Sequence, residues 1–391
     1  MSDRELDIVM LGATGFTGRL VAEYLAGRKP ARWAIAGRNR DKLEKLGIAA
    51  PIIVADTLDP AACAALARRT RVVCTTVGPY AKYGSALVAA CAEAGTHYCD
   101  LTGEVNWMRE TIDVNHERAI ATGARIVPAC GFDSIPSDLG TWATQQAFIA
   151  KFGRPATRVT ALFGPVSGSM SGGTAASAFG LADAMKDPAV RRVLRNPYSL
   201  DPDPEAPHPK INAPLVGWNA EIGMFFVPFF MAATNGPVVR RGHALAGHPW
   251  GKEFVYHEVM STPGNVRGAV LAAQITGGLA LLSEAMKRPK LREFLRKRAP
   301  QPGEGPSAEK RERGHWKVRY VAERDDNKLV YVASDRGDPG YASTCRMLGE
   351  SALCLAYDPL TSPGGVLTPS TAMAQPLLDR LRAAGLTFGV A

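Results

Sequence analysis

Short apolar blocks alternate with longer mixed segments through the first third of the chain. The blocks at residues 6–11, 32–36, 52–55, 71–77, 95–100 and 124–128 lack the strict alternation of a half-solvated strand and fit strands buried on both faces of a parallel sheet. Between them, residues 17–26, 41–46, 85–94 and 105–122, with a segment through Cys63 and Leu66, carry helical spacing. Strands alternating with helices in this way predict a doubly wound α/β sheet. From about residue 157 the rhythm changes. A strand at 158–163 precedes a glycine- and serine-rich run at 164–174 and a helix through Leu181 and Met185. Residues 197–214 hold six prolines and read as an irregular loop, and 222–231 is strongly apolar. Residues 317–322 and 328–334 flank Arg324-Asp325-Asp326-Asn327 as a hairpin, Pro339-Gly340 introduces a helix at 343–355, and 372–383 is the last helix.

The first strand breaks into L-G-A-T-G-F-T-G, placing Gly12, Gly15 and Gly18 at three-residue intervals. Gly12 suits the tight turn, Gly15 lets backbone N–H groups approach a pyrophosphate, and Gly18 lets the new helix pack close to its strand. An anion would sit on the helix N-terminus. The second strand ends in Gly37-Arg38-Asn39. A site for NAD places an acid there, whereas Arg38 can pair with a 2′-phosphate, so the reading is NADP. Asp56, after the third strand, lies beside the adenine or caps the next helix. The turn after the fourth strand, with Val77, Gly78, Tyr80 and Tyr83, should face the nicotinamide end, because ligands lie beyond the carboxyl ends of the strands. After the sixth strand, Gly131 permits a reversal, and Asp133, Ser134 and Asp138 supply either helix caps or a substrate site. Tyr80, Asp133 and Ser134 are the candidate catalytic groups. His116 reads as packed or solvated.

Composition narrows the picture. A chain of 391 residues suggests two domains. Asp3, Glu5 and Asp7 occupy the space of a secretory leader, so a cytoplasmic protein is expected. Seven cysteines without a C-x-x-C pair point to buried thiols and no metal site. The net charge of +9 is concentrated at 191–195, at 287–298 (K-R-P-K-L-R-E-F-L-R-K-R) and at 310–317. Such runs are a solvated face, or a patch for an anionic membrane surface or an acidic carrier protein. No nucleic-acid-reading motif accompanies them. The apolar stretches at 222–239 and 268–283 are too short or too broken by Pro228 and the Gly277-Gly278 pair to span a membrane. The second stretch, joined to the basic run from Lys287 to Arg298, offers a surface-lying anchor as the alternative to a core segment.

The blocks G-A-T-G-F-T-G, A-G-R-N, T-V-G-P-Y, H-Y-C-D-L-T-G-E, C-G-F-D-S-I-P-S-D-L-G and G-G-V-L-T-P-S-T-A-M resemble the saccharopine-dehydrogenase-like oxidoreductases over nearly the whole chain. The resemblance is nearest the branch of the mycobacterial trans-acting enoyl reductases and the mammalian saccharopine-dehydrogenase-like oxidoreductase. It implies a Rossmann domain at 1–135, an inserted α+β substrate or dimerisation domain at 136–338, and C-terminal helices at 339–391 returning to the first domain. It carries the cofactor loop onto Gly12, Thr14, Gly15, Phe16 and Gly18 and the ribose-phosphate position onto Arg38. The implied function is NADPH-dependent reduction of a carbon–carbon double bond on an acyl or polyketide chain, free or carrier-bound, in lipid metabolism. The alternatives are a saccharopine-type carbon–nitrogen dehydrogenase, and an NADP-binding, lipid-associated protein without turnover. Arginines that would clamp an amino-acid carboxylate are not recognisable in the sequence. A homodimer is compatible with this reading.

Overall fold

The computed structural model describes residues 4–132, 134–164, 179–212, 214–298 and 307–391. Asp133 and nearly all of the glycine- and serine-rich run lie outside them. Six strands, β1 (Leu6–Leu11), β2 (Trp33–Gly37), β3 (Ile52–Val54), β4 (Thr70–Thr75), β5 (His97–Cys99) and β6 (Arg125–Val127), pair in parallel in the order β6-β5-β4-β1-β2-β3. This is the doubly wound order, with its reversal between β1 and β4. Every residue of β1 is buried, which is why its sequence reads as a continuous apolar run. Its one acid, Asp7, is held by Arg32 at 2.9 Å, Arg71 at 3.6 Å and the Tyr357 hydroxyl at 3.2 Å.

A second, mixed sheet follows. β7 (Arg158–Phe163), β8 (Gly217–Asn219), β9 (Met224–Pro228), β10 (Val255–Thr262), β11 (His315–Arg324) and β12 (Asn327–Arg336) are ordered β12-β11-β7-β10-β9-β8. Among the described residues of this sheet, only β7 and β10 pair in parallel. The expected hairpin is β11–β12, turned on Asp325 and Asp326, with Asp325 at φ 52°. The helix Val266–Lys287 runs without interruption through Gly277 and Gly278, where the sequence pattern had suggested a break. Each such glycine costs about 1 kcal/mol relative to alanine. The Asn265 cap on Gly268 N–H (2.9 Å) and packing of the inner face on β9 and β10 offset that cost.

The C-terminal segment joins the two sheets. Helix Thr344–Tyr357 lies on β4, β5 and the helix Phe16–Arg28. Its Glu350, fully buried, accepts the Tyr24 hydroxyl at 2.6 Å and pairs with Arg28 and Arg380 at 2.9 and 3.2 Å. The two-residue β13 (Gly365–Val366) extends the first sheet beside β6, whereas β14 (Thr387–Val390) pairs with β12 in the second. Residues 339–391, read from the sequence as helices returning to the first domain, also end in a strand of the second sheet. The local pattern carries no sign of this, because a four-residue terminal strand is apolar in either place. All seven cysteines are buried and free.

Candidate functional site

The glycine turn sits at the point where the first sheet reverses. Gly12 has φ +90°, a conformation open to glycine, and its N–H donates to Ala36 O at 2.9 Å. A Cβ on Gly12 would meet Val77 Cγ2 at 2.8 Å, and one on Gly18 would meet Gly12 O at 2.0 Å. The glycines thus let the helix Phe16–Arg28 start directly against the end of β1 and the 76–78 turn. Gly15 differs: its nearest neighbour would be Gly12 O at 3.4 Å, and it is exposed, as is Thr14. Gly15 is also the helix N-cap, and no side chain fills that role. The first turn therefore offers open backbone N–H groups and a positive dipole end. Thr76 Oγ1, buried and without a hydrogen-bond partner among the described residues, faces the same turn. An uncapped helix start, an exposed glycine whose Cβ position has no neighbour nearer than 3.4 Å and an orphaned hydroxyl fit a dinucleotide diphosphate.

At the end of β2, Arg38 is exposed and makes no hydrogen bond or ion pair among the described residues. Asn39 beside it is committed, capping the next helix through Lys42 N–H at 2.9 Å. Asp56 accepts Leu58 N–H at 3.0 Å with one carboxylate oxygen, so it turns the chain after β3. Val77 is half-buried beside Gly12, and Gly78 is exposed at the mouth. Phe16 leans across the cleft edge onto Tyr341, edge to face at 5.1 Å, with the Arg311 guanidinium 5.6 Å from its ring. Tyr341 is held there by Asp338, whose carboxylate accepts the N–H groups of Tyr341 and Ala342 at 3.1 and 3.0 Å.

Tyr80 lies under this mouth with its ring 5.4 Å from Trp107. It is buried, and its hydroxyl donates to Thr75 O at 3.3 Å. Burial, then the neighbouring Asp100 carboxylate, pushes the phenol well above its ordinary value. Two acids in the H-Y-C-D-L-T-G-E block hold the surrounding loops. Asp100 accepts the N–H groups of Thr102 and Ala129 at 2.9 and 3.0 Å and the Tyr98 hydroxyl at 2.7 Å, tying the end of β5 to that of β6. Desolvation raises its carboxyl to about 6. Glu104 accepts the N–H groups of Tyr80 and Ala81 at 3.0 and 2.9 Å and so fixes the Tyr80 turn.

The turn after β6 reaches the second sheet. Phe132 packs on Trp316 at 5.0 Å and Phe163 at 6.0 Å, and Phe163 stacks on Phe229 at 4.5 Å, so the seam between the sheets is aromatic here. Ser134 is fully buried, and its hydroxyl donates to Asn235 Oδ1 at 3.2 Å. Asn235 in turn donates to Glu258 Oε1 at 2.7 Å, and Glu258 Oε2 accepts the hydroxyls of Ser137 and Tyr256 at 2.9 and 2.6 Å. Desolvation raises the Glu258 carboxyl to about 7 in spite of those donors. Asp138 points elsewhere, accepting the N–H and hydroxyl of Ser370 at 2.7 and 2.8 Å at the start of the last long helix. Desolvation lifts it to about 6. His116 accepts Val366 N–H at 3.0 Å through Nδ1, a packing role.

The structure thus gathers Gly12, Thr14, Gly15, Phe16, Gly18, Val77 and Gly78 at one mouth, with Arg38 and Asp56 at the ends of β2 and β3. It sets Tyr80 and Ser134 below the surface, with their hydroxyls in protein bonds. Glu258, Asn235 and Tyr341 were not foreseen. Glu258 had one signal, an acid within the apolar strand V-Y-H-E-V-M-S-T, while Asn235 was hidden in the apolar stretch 222–239.

The family model described as the saccharopine dehydrogenase NADP binding domain matches residues 8–127. A protein of Mycobacterium tuberculosis (strain ATCC 25618 / H37Rv), provisionally named a trans-acting enoyl reductase, is 42% identical over 98% of this chain and 97% of its own length. The trans-acting enoyl reductase of Mycobacterium ulcerans (strain Agy99) is 38% identical over 98% of this chain and 97% of its own. Among solved structures, the apo saccharopine dehydrogenase (L-Glu forming) of Saccharomyces cerevisiae superposes with a TM-score of 0.52 at 13% identity, covering 98% of this chain and 99% of that one, a likeness of fold. The chain is an NADP-dependent oxidoreductase and belongs to the saccharopine dehydrogenase-like family, alongside the trans-acting enoyl reductases.

Proposed function

We propose that the chain uses NADPH to reduce the carbon–carbon double bond of an α,β-unsaturated acyl or polyketide chain. When bound, the dihydronicotinamide supplies the hydride. Gly12, Thr14, Gly15, Phe16 and Gly18 would hold the diphosphate, Arg38 would pair with the 2′-phosphate, Asp56 would lie on the adenine side, and Val77 and Gly78 would border the nicotinamide. The observation that carries the choice of substrate is the seam beside the 131–138 turn, which is aromatic through Phe132, Phe163, Phe229 and Trp316. Two arginines of the helix Ala232–Leu245 support the same choice, Arg240 half-buried and Arg241 buried. Arg240 donates to Pro197 O and Tyr256 O at 3.3 and 3.0 Å, and Arg241 to Leu200 O and Val366 O at 2.6 and 2.5 Å. Guanidinium groups spent on backbone carbonyls do not clamp an amino-acid carboxylate. The relatives named enoyl reductases match along the same full length.

Tyr80 and Ser134 position the loops around the reacting carbons. Asp133, by its place in the chain between Phe132 and Ser134, is the group we assign to proton delivery. Incubation with NADPH and 2-enoyl thioesters should consume cofactor, with Asp133→Asn lowering kcat while NADPH still binds. Inertness toward thioesters alongside turnover of an amino-acid-derived imine would refute the proposal.

A further inference from the structure

We propose that helix Val266–Lys287 and the basic helix that follows it, Pro289–Arg298, form a docking face for an anionic lipid surface. Helix Val266–Lys287 is long and apolar enough to cross a membrane by length and composition, yet it lies along β9 and β10. Only Gly268 and Ala272 are buried in it. Gly268 lets it sit close, since a Cβ there would be 1.7 Å from Pro263 O. The outer face is apolar instead of charged: Val266 is 81% exposed and Leu281 74%, with Val270 and Leu282 between and beside them. Leu291 and Phe294 continue the apolar surface on the second helix, and Trp218 borders the groove at the N-terminal end of the first. A helix of a soluble protein with this much apolar side chain turned outward marks an interaction surface.

Charge decides the occupant. Among the described residues, the acids of this region are already committed: Asp183 to Arg292 and Arg296 at 2.9 and 2.7 Å, and Glu284 to Lys287 at 3.0 Å. Glu293 pairs with Arg296 at 3.6 Å. Arg288, Lys290 and Lys297 have no carboxylate partner among the described residues, and the guanidinium of Arg298 rests 3.7 Å from the Phe294 ring centroid. A second copy of this face would bring the same surplus of cations and, among the described residues, no spare carboxylate. A bilayer with anionic headgroups meets both needs, because its interface takes aliphatic and aromatic side chains while its surface potential attracts the lysines and arginines. The face docks flat, and the packing on β9 and β10 stays intact. This inference is independent of the substrate assigned above.

The full chain is floated with vesicles of phosphatidylcholine mixed with phosphatidylglycerol, and with pure phosphatidylcholine vesicles. It should rise with the anionic vesicles, more weakly as salt is raised. The double charge reversal Lys290→Glu, Lys297→Glu and, separately, Val270→Ser with Leu281→Ser should each lower the bound fraction by about tenfold. Both variants should bind NADPH as the unaltered chain does, which shows that they are folded. Failure of the unaltered chain to float, or flotation of both variants at its level, would overturn the proposal. So would a dimer in light scattering that Leu281→Ser dissociates, since the face would then belong to a second copy.

Discussion

Gly15 and Gly18 separate the two demands made on the nucleotide turn. In Gly18→Ala the new Cβ would lie 2.0 Å from Gly12 O and 2.7 Å from Thr76 Oγ1. Ordinary contact needs roughly 3.5 Å, so the helix Phe16–Arg28 would have to back away from β1 by roughly 1 Å or more. Overpacking of that kind costs about 1–3 kcal/mol, and each kcal/mol lowers Tm by about 2–4 °C in a domain this size. The same shift carries the helix-start N–H groups away from the diphosphate. Losing one charge-assisted hydrogen bond, about 1.5–3 kcal/mol, weakens NADPH binding by roughly tenfold or more. Gly15→Ala should behave otherwise. Gly15 has φ −77°, which alanine adopts freely, and its Cβ would meet only Gly12 O at 3.4 Å. The fold should tolerate it to within about 0.5 kcal/mol, as for an exposed position away from special features. Binding should still fall about tenfold, because the methyl group fills the space an approaching phosphate needs. Thermal melts without cofactor and fluorescence titration with NADPH read the two quantities independently. Wild-type affinity in Gly15→Ala would refute the assignment of the diphosphate to this turn. A wild-type melt of Gly18→Ala would refute the close-packing argument.

Three further outcomes follow from the same geometry. Arg38→Ala should raise KM for NADPH roughly ten- to a hundredfold, the worth of a hydrogen bond to a charged group of about 1.5–3 kcal/mol, while leaving KM for NADH unchanged; steady-state kinetics with both cofactors checks it. Tyr80→Phe should retain kcat and lose about 1 kcal/mol of stability at most, because its hydroxyl is spent on Thr75 O at 3.3 Å; a folded but inactive Tyr80→Phe would make that phenol the proton donor. Glu258, with its carboxyl raised to about 7 by desolvation, binds its proton more tightly in the folded state than in the unfolded one. Its contribution to stability is therefore full below about pH 4.5, the ordinary value for a glutamate carboxyl, and declines as pH rises through about 7. Urea unfolding across that range should show this decline in the unaltered chain and a flatter profile in Glu258→Gln.

The first sheet was legible because its signals are local. β1 and β2 are wholly buried and β4 nearly so, which is why they read as apolar blocks, and the Gly12, Gly15 and Gly18 spacing marks a turn where a helix start must lie against a strand end. The second sheet was legible only in β7 and the β11–β12 hairpin, for equally physical reasons. Its order, β14-β12-β11-β7-β10-β9-β8, joins strands from distant parts of the chain, and β8 and β9 are short pieces at or inside a stretch that looks merely greasy. β10 was missed altogether, and with it Glu258. The Gly277-Gly278 pair suggested a break that capping and packing against β9 and β10 override. At the site, residue type alone singled out Tyr80 and Ser134 as chemical groups. Only the partners of their hydroxyls, Thr75 O and Asn235 Oδ1, show that both are held inside the protein.

The central claim is hydride delivery to an acyl carbon, and isotope transfer tests it most directly. With NADPH carrying deuterium at both C4 positions and an α,β-unsaturated thioester, mass spectrometry of the product should find one deuterium on the β-carbon of a saturated chain. A product without deuterium, or label appearing only at the carbon attached to nitrogen in an amino acid formed from an imine, would contradict the account.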